Sequence, residues 1–540
     1  MKDRWKKMDA RDSLAGGLLF LATAAVVLWQ NAHLTVLWDL SYVLETALRF
    51  AEGQMPYRDF PLVHAPLTFA VQALLIRIFG RHMIVHALYA ACAAGLGAVL
   101  GWRILLGQLR SGEEKNAWPL SLLLAAPLTV LGIYCILPHP SYDCDTALAV
   151  LVSLFFLQRL DQPGASVNTG LLAGAATALP SFYKQNIGLP YLFAVALLLA
   201  LQLTAGLGNY FYWTVHFASQ RRMPGLGPML GVYNAPLLYW ALPGTLAGAL
   251  LWRGSRAKSR RWLRLTALVL LAAPWLYVLA TLPGNMDDPD SFADLFLGLW
   301  PLVLLLSELL LALRIFRLFR RRPEEARVAP LLTLAALGAI HGTLMSQQLW
   351  GSTYALWPFF LLLLADALLW LNATRPAALG LAALASLTLL LAGGYYTASE
   401  ERLSYVDLAG GPLQHAATPA LRGLATPGPY LANLDELVRY AEKNIPPDDA
   451  IVLLPGEDPF YFATGRRVQF PVLLFDPATD PYAPAEVLRQ MQERQVKWLI
   501  VKRVEQIHAD PMPERAATLA LLRRAFTPVA QLAGYDVYRR

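Results

Sequence analysis

Long apolar runs alternate with short polar connections through the first three quarters of the chain. Runs of about 18 or more apolar residues recur from Leu14 to Ala392, and each is long enough to cross a bilayer. One such run is compatible with a buried helix, but many in series are typical of a polytopic membrane protein. The pattern predicts about 11–13 transmembrane helices, the first from about Leu14 to Gln30 and the last from Ala377 to Ala392.

The last quarter of the chain has a different pattern, in which helical periodicity alternates with short buried strands. The candidate helices are Leu431–Asn444 and Ala485–Arg494, and the candidate strands are Ile451–Leu454, Val468–Phe475 and Val496–Val501. Helices that alternate with strands predict a small α/β domain. We therefore expect a membrane domain over residues 1–395 and a soluble domain over residues 396–540.

Charge fixes the expected orientation of the chain. Only 15% of the residues are charged, whereas a soluble protein has about a quarter. The basic leader Lys2–Arg11 and the arginine-rich segments Arg253–Arg264 and Arg314–Arg327 flank apolar runs, so the positive-inside rule predicts that they are cytoplasmic. The same rule accounts for the net charge of +7 without a nucleic-acid partner. Alternation from these segments predicts that everything after Tyr395 lies outside, and that the first helix is retained as an anchor.

One region leaves two topologies open. The run Pro61–Phe79 is apolar enough to span the membrane, but it is also compatible with a segment lying flat in the interface. If it spans, Arg103 and Arg110 fall outside and Asp143 falls inside. If it lies flat, these positions are reversed, and the region 181–229 is one crossing short.

The first outer segment, about residues 31–83 with juxtamembrane helices, carries the most concentrated candidate chemistry. Asp39, Arg58, Asp59 and His64 share this short stretch beside the bilayer. An acid just beyond a membrane helix is usually a solvated loop residue. A carboxylate together with cations, however, supplies both a general base and a site for an anionic leaving group.

A second cluster lies in the segment His139–Asp145. Asp143 and Asp145 have a spacing that permits a divalent cation but does not require one, and they equally suit the N-terminus of the next helix. Lys184 lies between two apolar runs, where an ionisable group is either functional or snorkels to the interface.

Three further polar residues lie near predicted membrane boundaries. Arg221 and Arg222 end an aromatic-rich loop, where they either bind a lipid phosphate or anchor the loop. Tyr354 lies in an uncharged outer loop. The chain has no phosphate-binding P-loop, no nucleophile elbow and no zinc-binding spacing, so ATP-driven transport is not expected of it.

The order of these features resembles the GT-C superfamily of membrane glycosyltransferases, which includes protein mannosyltransferases, aminoarabinose transferases and oligosaccharyltransferases. The motifs that carry the resemblance are Asp39, Gly53–Asp59, His64–Leu67, Tyr142–Asp145, Lys184 and, in the tail, Tyr461–Arg466. Where relatives often have a lysine before Pro-Pro-Leu, this chain has His64, which is only partly charged near neutral pH.

The resemblance implies an inverting transfer of a sugar from a polyprenyl-phosphate donor to a glycan, lipid or protein acceptor. It implies that Asp39 is the base and that His64, Arg58, Lys184, Arg221 and Arg222 are candidates for holding the donor phosphate. Asp59, Asp143, Asp145 and Tyr354 are then candidates for an acceptor or second acidic site. The expected location is the inner membrane of a bacterium. The alternatives are a polyprenyl-linked glycan flippase or binding protein, and an O-antigen ligase or polymerase.

Overall fold

The computed structural model describes residues 10–111, 116–160, 166–184, 231–255, 261–285, 288–320, 329–344, 355–399, 406, 411–476, 480, 482–507 and 513–540. The helices of the first 400 residues are α1 (Ala10–Asn31), α2 (Leu37–Ala51), α3 (Leu67–Phe79), α4 (Met83–Ser111), α5 (Ala117–Ala125), α6 (Leu128–Leu131), α7 (Tyr142–Leu160), α8 (Val167–Ala178), α9 (Pro180–Tyr183), α10 (Leu238–Gly254), α11 (Arg261–Thr281), α12 (Pro289–Leu297), α13 (Leu299–Arg320), α14 (Ala329–Leu344), α15 (Trp357–Leu371) and α16 (Arg375–Ala398). They pack into a helical bundle, which confirms the predicted polytopic helical class.

Within the part of the chain that the structure describes, five stretches are long and apolar enough to cross a membrane: Ala10–Asn31, Met83–Arg110, Arg261–Gly284, Ser291–Arg314 and Arg375–Ala398. Several of these helices keep large apolar side chains on the outside of the bundle, as Leu14, Leu18 and Leu21 do on α1. In water such a surface would be unfavourable, whereas lipid solvates it well. The helices predicted at Leu14–Gln30 and Ala377–Ala392 lie inside α1 and α16.

Only the second part of the segment Pro61–Phe79 is helical, as the short helix α3, and it does not form a full span. Its 13 residues rise only about 20 Å, which is less than the hydrocarbon core of about 30 Å. One face of α3 packs through Ala73 and Ile76 against α2, while Leu74, Ile78 and Phe79 stay exposed. An apolar face of this kind suits a helix that lies along the interface. The structure therefore favours the flat topology of the two that the sequence left open.

The C-terminal part is a small α/β domain, as predicted. Its helices are α17 (Tyr430–Asn444), α18 (Phe460–Thr464), α19 (Pro484–Glu493) and α20 (Pro513–Ala525), and its strands are β1 (Leu413–His415), β2 (Ala425–Pro427), β3 (Ile451–Leu454), β4 (Trp498–Lys502), β5 (Thr527–Gln531) and β6 (Tyr535–Arg539). The four-stranded sheet has the order β3-β4-β6-β5, with β3 and β4 parallel and the other neighbours antiparallel. β1 and β2 form a separate antiparallel pair.

The strand predicted at Val468–Phe475 is wrong. This stretch joins neither sheet, and side chains of the first outer segment bind its carbonyl groups instead. The Arg49 guanidinium donates to the carbonyls of Phe470 and Pro471, and Gln54 donates to that of Val468. The apolar run is mostly buried, but these carbonyls accept from side chains of α2 and the loop after it, and the N–H of Phe475 donates to the carbonyl of Pro455 at 2.9 Å.

The α/β domain and α2 share one hydrophobic core. Leu37, Leu40 and Leu44 of α2 are completely buried, in the same cluster as Leu434 of α17 and Phe462 of α18. The C-terminal domain is therefore seated directly on the helix that carries Asp39.

Candidate active site

Asp39 lies in the first turn of α2 and is half-buried. The N-terminus of a helix favours a negatively charged carboxylate, because the aligned peptide dipoles leave partial positive charge there. Tyr42 follows three residues later, so it shares a helix face with Asp39. The hydroxyl of Tyr42 lies 3.1 Å from Nδ1 of His64, so the helix that carries Asp39 contacts His64 one turn further along.

His64 is buried and is held on three sides. Its ring stacks on Tyr142 at 4.0 Å between centroids, and it meets the Tyr42 ring edge-on at 5.4 Å. The hydroxyl of Tyr57 donates to the carbonyl oxygen of His64 at 2.8 Å. The two ring contacts orient the imidazole, and the bond from Tyr57 fixes the backbone that carries it.

Lys184 also contacts this group of residues, from the segment that follows α9. Its ammonium group forms an ion pair with Asp143, and both side chains are almost completely buried. The Lys184 Nζ also lies 5.5 Å from the centre of the Tyr142 ring, within the range of a cation–π contact. Tyr142 therefore contacts both His64 and Lys184, and three segments that the sequence singled out separately converge on one ring.

Asp145 has a different environment from Asp143. Three hydroxyl groups donate to its carboxylate: Thr68 at 2.8 Å, Tyr89 at 2.7 Å and Tyr134 at 2.6 Å. The carboxylate thereby ties α3, α4 and the loop before α7 together. Both aspartates also lie in the first turn of α7, where a helix N-terminus favours carboxylates, and the Ser141 hydroxyl accepts from the N–H of Asp143 at 3.3 Å.

Protein groups already engage both aspartates. Lys184 donates to one oxygen of Asp143, and three hydroxyl groups donate to Asp145. Within the described ranges, no group of three His, Cys, Asp or Glu side chains is placed to hold a metal. The predicted cation at Asp143 and Asp145 stays a prediction.

Arg58 and Asp59 lie at the exposed tip of the first outer segment. The guanidinium of Arg58 donates to both oxygens of the Asp59 carboxylate, at 2.9 and 2.8 Å. The hydrogen bond from Arg58 lowers the pKa of Asp59 to about 2. Asp59 also accepts from the N–H of Met55 at 2.7 Å, so the pair shapes its own loop.

Three of the candidate residues, Arg221, Arg222 and Tyr354, lie outside the described residues. Tyr42 and Tyr142, which connect the site, were not assigned a role from the sequence. Both had a signal, because Tyr42 shares a helix face with Asp39 and Tyr142 directly precedes Asp143.

No protein-family model and no curated protein matches the chain. Among solved structures, it is similar to ArnT from Cupriavidus metallidurans bound to undecaprenyl phosphate, with a TM-score of 0.44 and 14% identity over 97% of both chains. It is also similar to the oligosaccharyltransferase of Archaeoglobus fulgidus in complex with Zn and sulfate. That alignment has a TM-score of 0.40 and 10% identity, and covers 90% of this chain and 68% of the other. Because the TM-scores and identities of both alignments are low, the function is argued from the residues of this chain.

Proposed function

We propose that this chain is an inverting glycosyltransferase of a bacterial inner membrane, which moves a sugar from a polyprenyl-phosphate donor to an acceptor hydroxyl on the outer face. One observation carries the proposal. Tyr42, which shares a helix face with Asp39, contacts His64, and Tyr142 contacts both His64 and Lys184, so the two basic side chains gather beside the helix that carries the carboxylate. A base beside cations is the combination that a sugar transfer with an anionic leaving group requires.

Asp39 acts as the general base in this mechanism. It accepts the proton of the acceptor hydroxyl while that oxygen attacks the anomeric carbon from the face opposite the phosphate. A new carbon–oxygen bond forms, and the bond between the anomeric carbon and the phosphate oxygen breaks. The polyprenyl phosphate leaves with the electron pair, and the anomeric configuration inverts.

His64 and Lys184 are the proposed partners of the departing phosphate. The leaving oxygen gains negative charge in the transition state, so a fixed ammonium or protonated imidazole lowers the barrier. Asp143 holds the ammonium of Lys184 in position beforehand, which reduces the cost of reorganisation. Arg58, Arg221 and Arg222 remain proposed as additional phosphate-binding residues, and Asp59, Asp145 and Tyr354 as acceptor-side candidates.

The donor also explains why such a site belongs beside the membrane. A polyprenyl chain stays dissolved in the bilayer, so its phosphate and sugar are available only at the surface. The exposed apolar face of α3, formed by Leu74, Ile78 and Phe79, lies next to the segment that carries His64. The activating phosphate travels on the lipid, which agrees with a chain that has no nucleotide-binding motif.

The test is a transfer assay with purified full-length protein. The protein is incubated with a panel of polyprenyl-phosphate sugars, and release of polyprenyl phosphate is measured. We expect release from at least one donor by the wild type, and its loss in Asp39→Asn, because the amide cannot accept the proton. Asp448→Asn, an exposed aspartate of the C-terminal domain, is the matched control and retains the wild-type rate.

Two outcomes would count against the proposal. If Asp39→Asn released polyprenyl phosphate at the wild-type rate, Asp39 would not be the base. If the wild type bound the donors but released every one of them unchanged, the chain would instead be a lipid-carrier binding protein or flippase.

A further inference from the structure

The helix that carries Asp39 begins without a cap of its own. The residue before its first turn, Val36, is extended, and no side chain of that residue caps the helix. The first N–H groups of any α-helix lack partners within the helix, and an uncapped end frays. The position of Asp39, in that first turn, consequently depends on what else holds the start of α2.

Gln506 of the C-terminal domain supplies this missing cap. Its side-chain oxygen accepts from the N–H of Leu37 at 2.8 Å, and its side-chain nitrogen donates to the carbonyl of Thr35 at 2.8 Å. The two bonds hold the backbone on either side of Val36. Gln506 lies 469 positions after Leu37 in the chain. Gln506 is almost completely buried, so water does not compete for these bonds.

Gln506 is itself held by a buried ionic network. Its own N–H donates to the Glu457 carboxylate at 2.6 Å, and that carboxylate accepts from Lys502 at 3.1 Å. Lys502 also donates to Asp458 at 2.7 Å, and the hydroxyl of Tyr535 donates to the other oxygen of Asp458 at 2.7 Å. These bonds fix the backbone of Gln506, and from this fixed backbone its side chain reaches the start of α2.

The next turn of α2 is tied to the same part of the domain. The hydroxyl of Ser41 donates to the carbonyls of Gly456 and Asp458, at 3.1 and 3.0 Å. Ser41 and Leu37 are four residues apart and face the C-terminal domain together, while Asp39 and Tyr42 lie on another face. The first turn of α2 is thus clamped along one side, and the candidate base is presented on the other.

We propose that Gln506 is a positioning residue for Asp39, and that the C-terminal domain acts in the transfer reaction by capping the helix that carries the base. This inference rests on the proposed function. A misplacement of about 1 Å in a catalytic group can cost about a hundredfold in rate, so a frayed first turn would be costly even with Asp39 intact.

Gln506→Met is the main test, because methionine has a similar length and volume but forms neither hydrogen bond. Hydrogen exchange of the full-length protein in lipid nanodiscs reports on the cap directly, without any substrate. We expect the backbone amides of residues 37–39 to exchange at least tenfold faster than in the wild type. Gln492→Met, an exposed glutamine on α19, is the matched control and leaves this exchange unchanged.

Transfer kinetics with the same variants test the positioning role. We expect Gln506→Met to lower kcat by about ten- to a hundredfold with KM for the donor nearly unchanged, since the base is displaced but the phosphate-binding residues are not. Gln506→Glu is the conservative variant. Its rate relative to the wild type rises as pH falls, because only the protonated carboxyl group both donates to Thr35 and accepts from Leu37.

The two measurements separate the possible failures. Unchanged exchange at residues 37–39 in Gln506→Met would overturn the cap. Faster exchange with an unchanged kcat would overturn the positioning role and leave the proposed function standing. If the wild type released no polyprenyl phosphate from any donor, the proposed function would be wrong, and exchange alone would decide the capping role.

Discussion

At the scale of single residues, Tyr142 and the Lys184–Asp143 ion pair organise the candidate site. Each charged partner is about 4% exposed at its side chain, so neither is solvated by water. Removing one member of a buried pair leaves an uncompensated charge, which costs more than the pair itself contributes. The ion pair is therefore best tested by removing the partners separately and together.

We predict that Lys184→Met and Asp143→Asn each lower the free energy of unfolding, Lys184→Met by about 3–5 kcal/mol because it strands a buried carboxylate. The double variant loses less than the sum of the two, since no charge is then left without its partner. Denaturation of the four proteins in detergent gives the coupling energy. Additive losses would mean that the two side chains do not interact. Arg489→Met, in an exposed ion pair on α19, serves as the control.

At the scale of elements, one face of α2 packs on the C-terminal domain and another carries Asp39. One face packs into the C-terminal domain through leucines and also buries the charged side chains of Glu45 and Arg49. Glu45 accepts from the N–H of Phe462 at 2.9 Å, while its second oxygen has no hydrogen-bond partner among the described residues. Burial raises the pKa of Glu45 to about 8, so the protonated form is favoured when the domain is docked on α2.

This pKa predicts a pH dependence of the junction. A carboxyl group whose pKa is higher in the folded state stabilises it fully below about pH 4.5, and this stabilisation is lost as pH rises through about 8. We expect the thermal midpoint of the wild type to decrease as the pH is raised from 5 to 9. Burial likewise raises the pKa of Glu457 to about 7, which adds to the same trend.

The matching variant is Glu45→Gln, whose amide keeps an acceptor for the N–H of Phe462 but does not titrate. We expect the thermal midpoint of this variant to decrease less steeply as pH rises. The free energy of unfolding then differs from that of the wild type by a few kcal/mol at the alkaline end. Glu442→Gln, an exposed position on α17, keeps the wild-type slope. An identical slope in Glu45→Gln would show that Glu45 does not titrate at the junction.

At the scale of the whole molecule, the chain consists of a lipid-facing bundle with the α/β domain seated on one juxtamembrane helix. Within the bundle, Arg314 of α13 forms two bonds with Asp366 of α15, at 2.7 and 2.9 Å, and Thr333 of α14 donates to the same carboxylate at 3.0 Å. Polar contacts of this kind fix three helices relative to one another, where the hydrophobic effect gives little specificity.

The proposed orientation is tested by cysteine labelling in intact cells. We predict that Asp448→Cys, in the C-terminal domain, reacts with a membrane-impermeant maleimide added from outside. Ser259→Cys, in the arginine-rich segment Arg253–Arg264, reacts only after the cells are permeabilised. The wild type, which contains Cys92, Cys135 and Cys144, gives the background. The reverse pattern would place the C-terminal domain in the cytoplasm. Asp39, on the helix that carries this domain, would then not act on the outer face.

The sequence by itself determined the polytopic helical class, the α/β tail and the positions of the first and last membrane helices, because apolar run length and helical spacing are local properties. It also identified Asp39, His64, Asp143 and Lys184 as candidates, since charged groups beside apolar runs are conspicuous. It did not determine which of them meet.

Only the tertiary structure decided that Tyr142 lies against both His64 and Lys184, and that α3 is too short to span. It also decided that the carbonyls of Phe470 and Pro471 accept from Arg49 of α2 and not from a neighbouring strand. Above all, it decided that Gln506 caps α2. Nothing in the local pattern around Gln506 indicates this role, because a hydrogen bond across 469 residues depends on how the domains fold together and not on neighbouring residues.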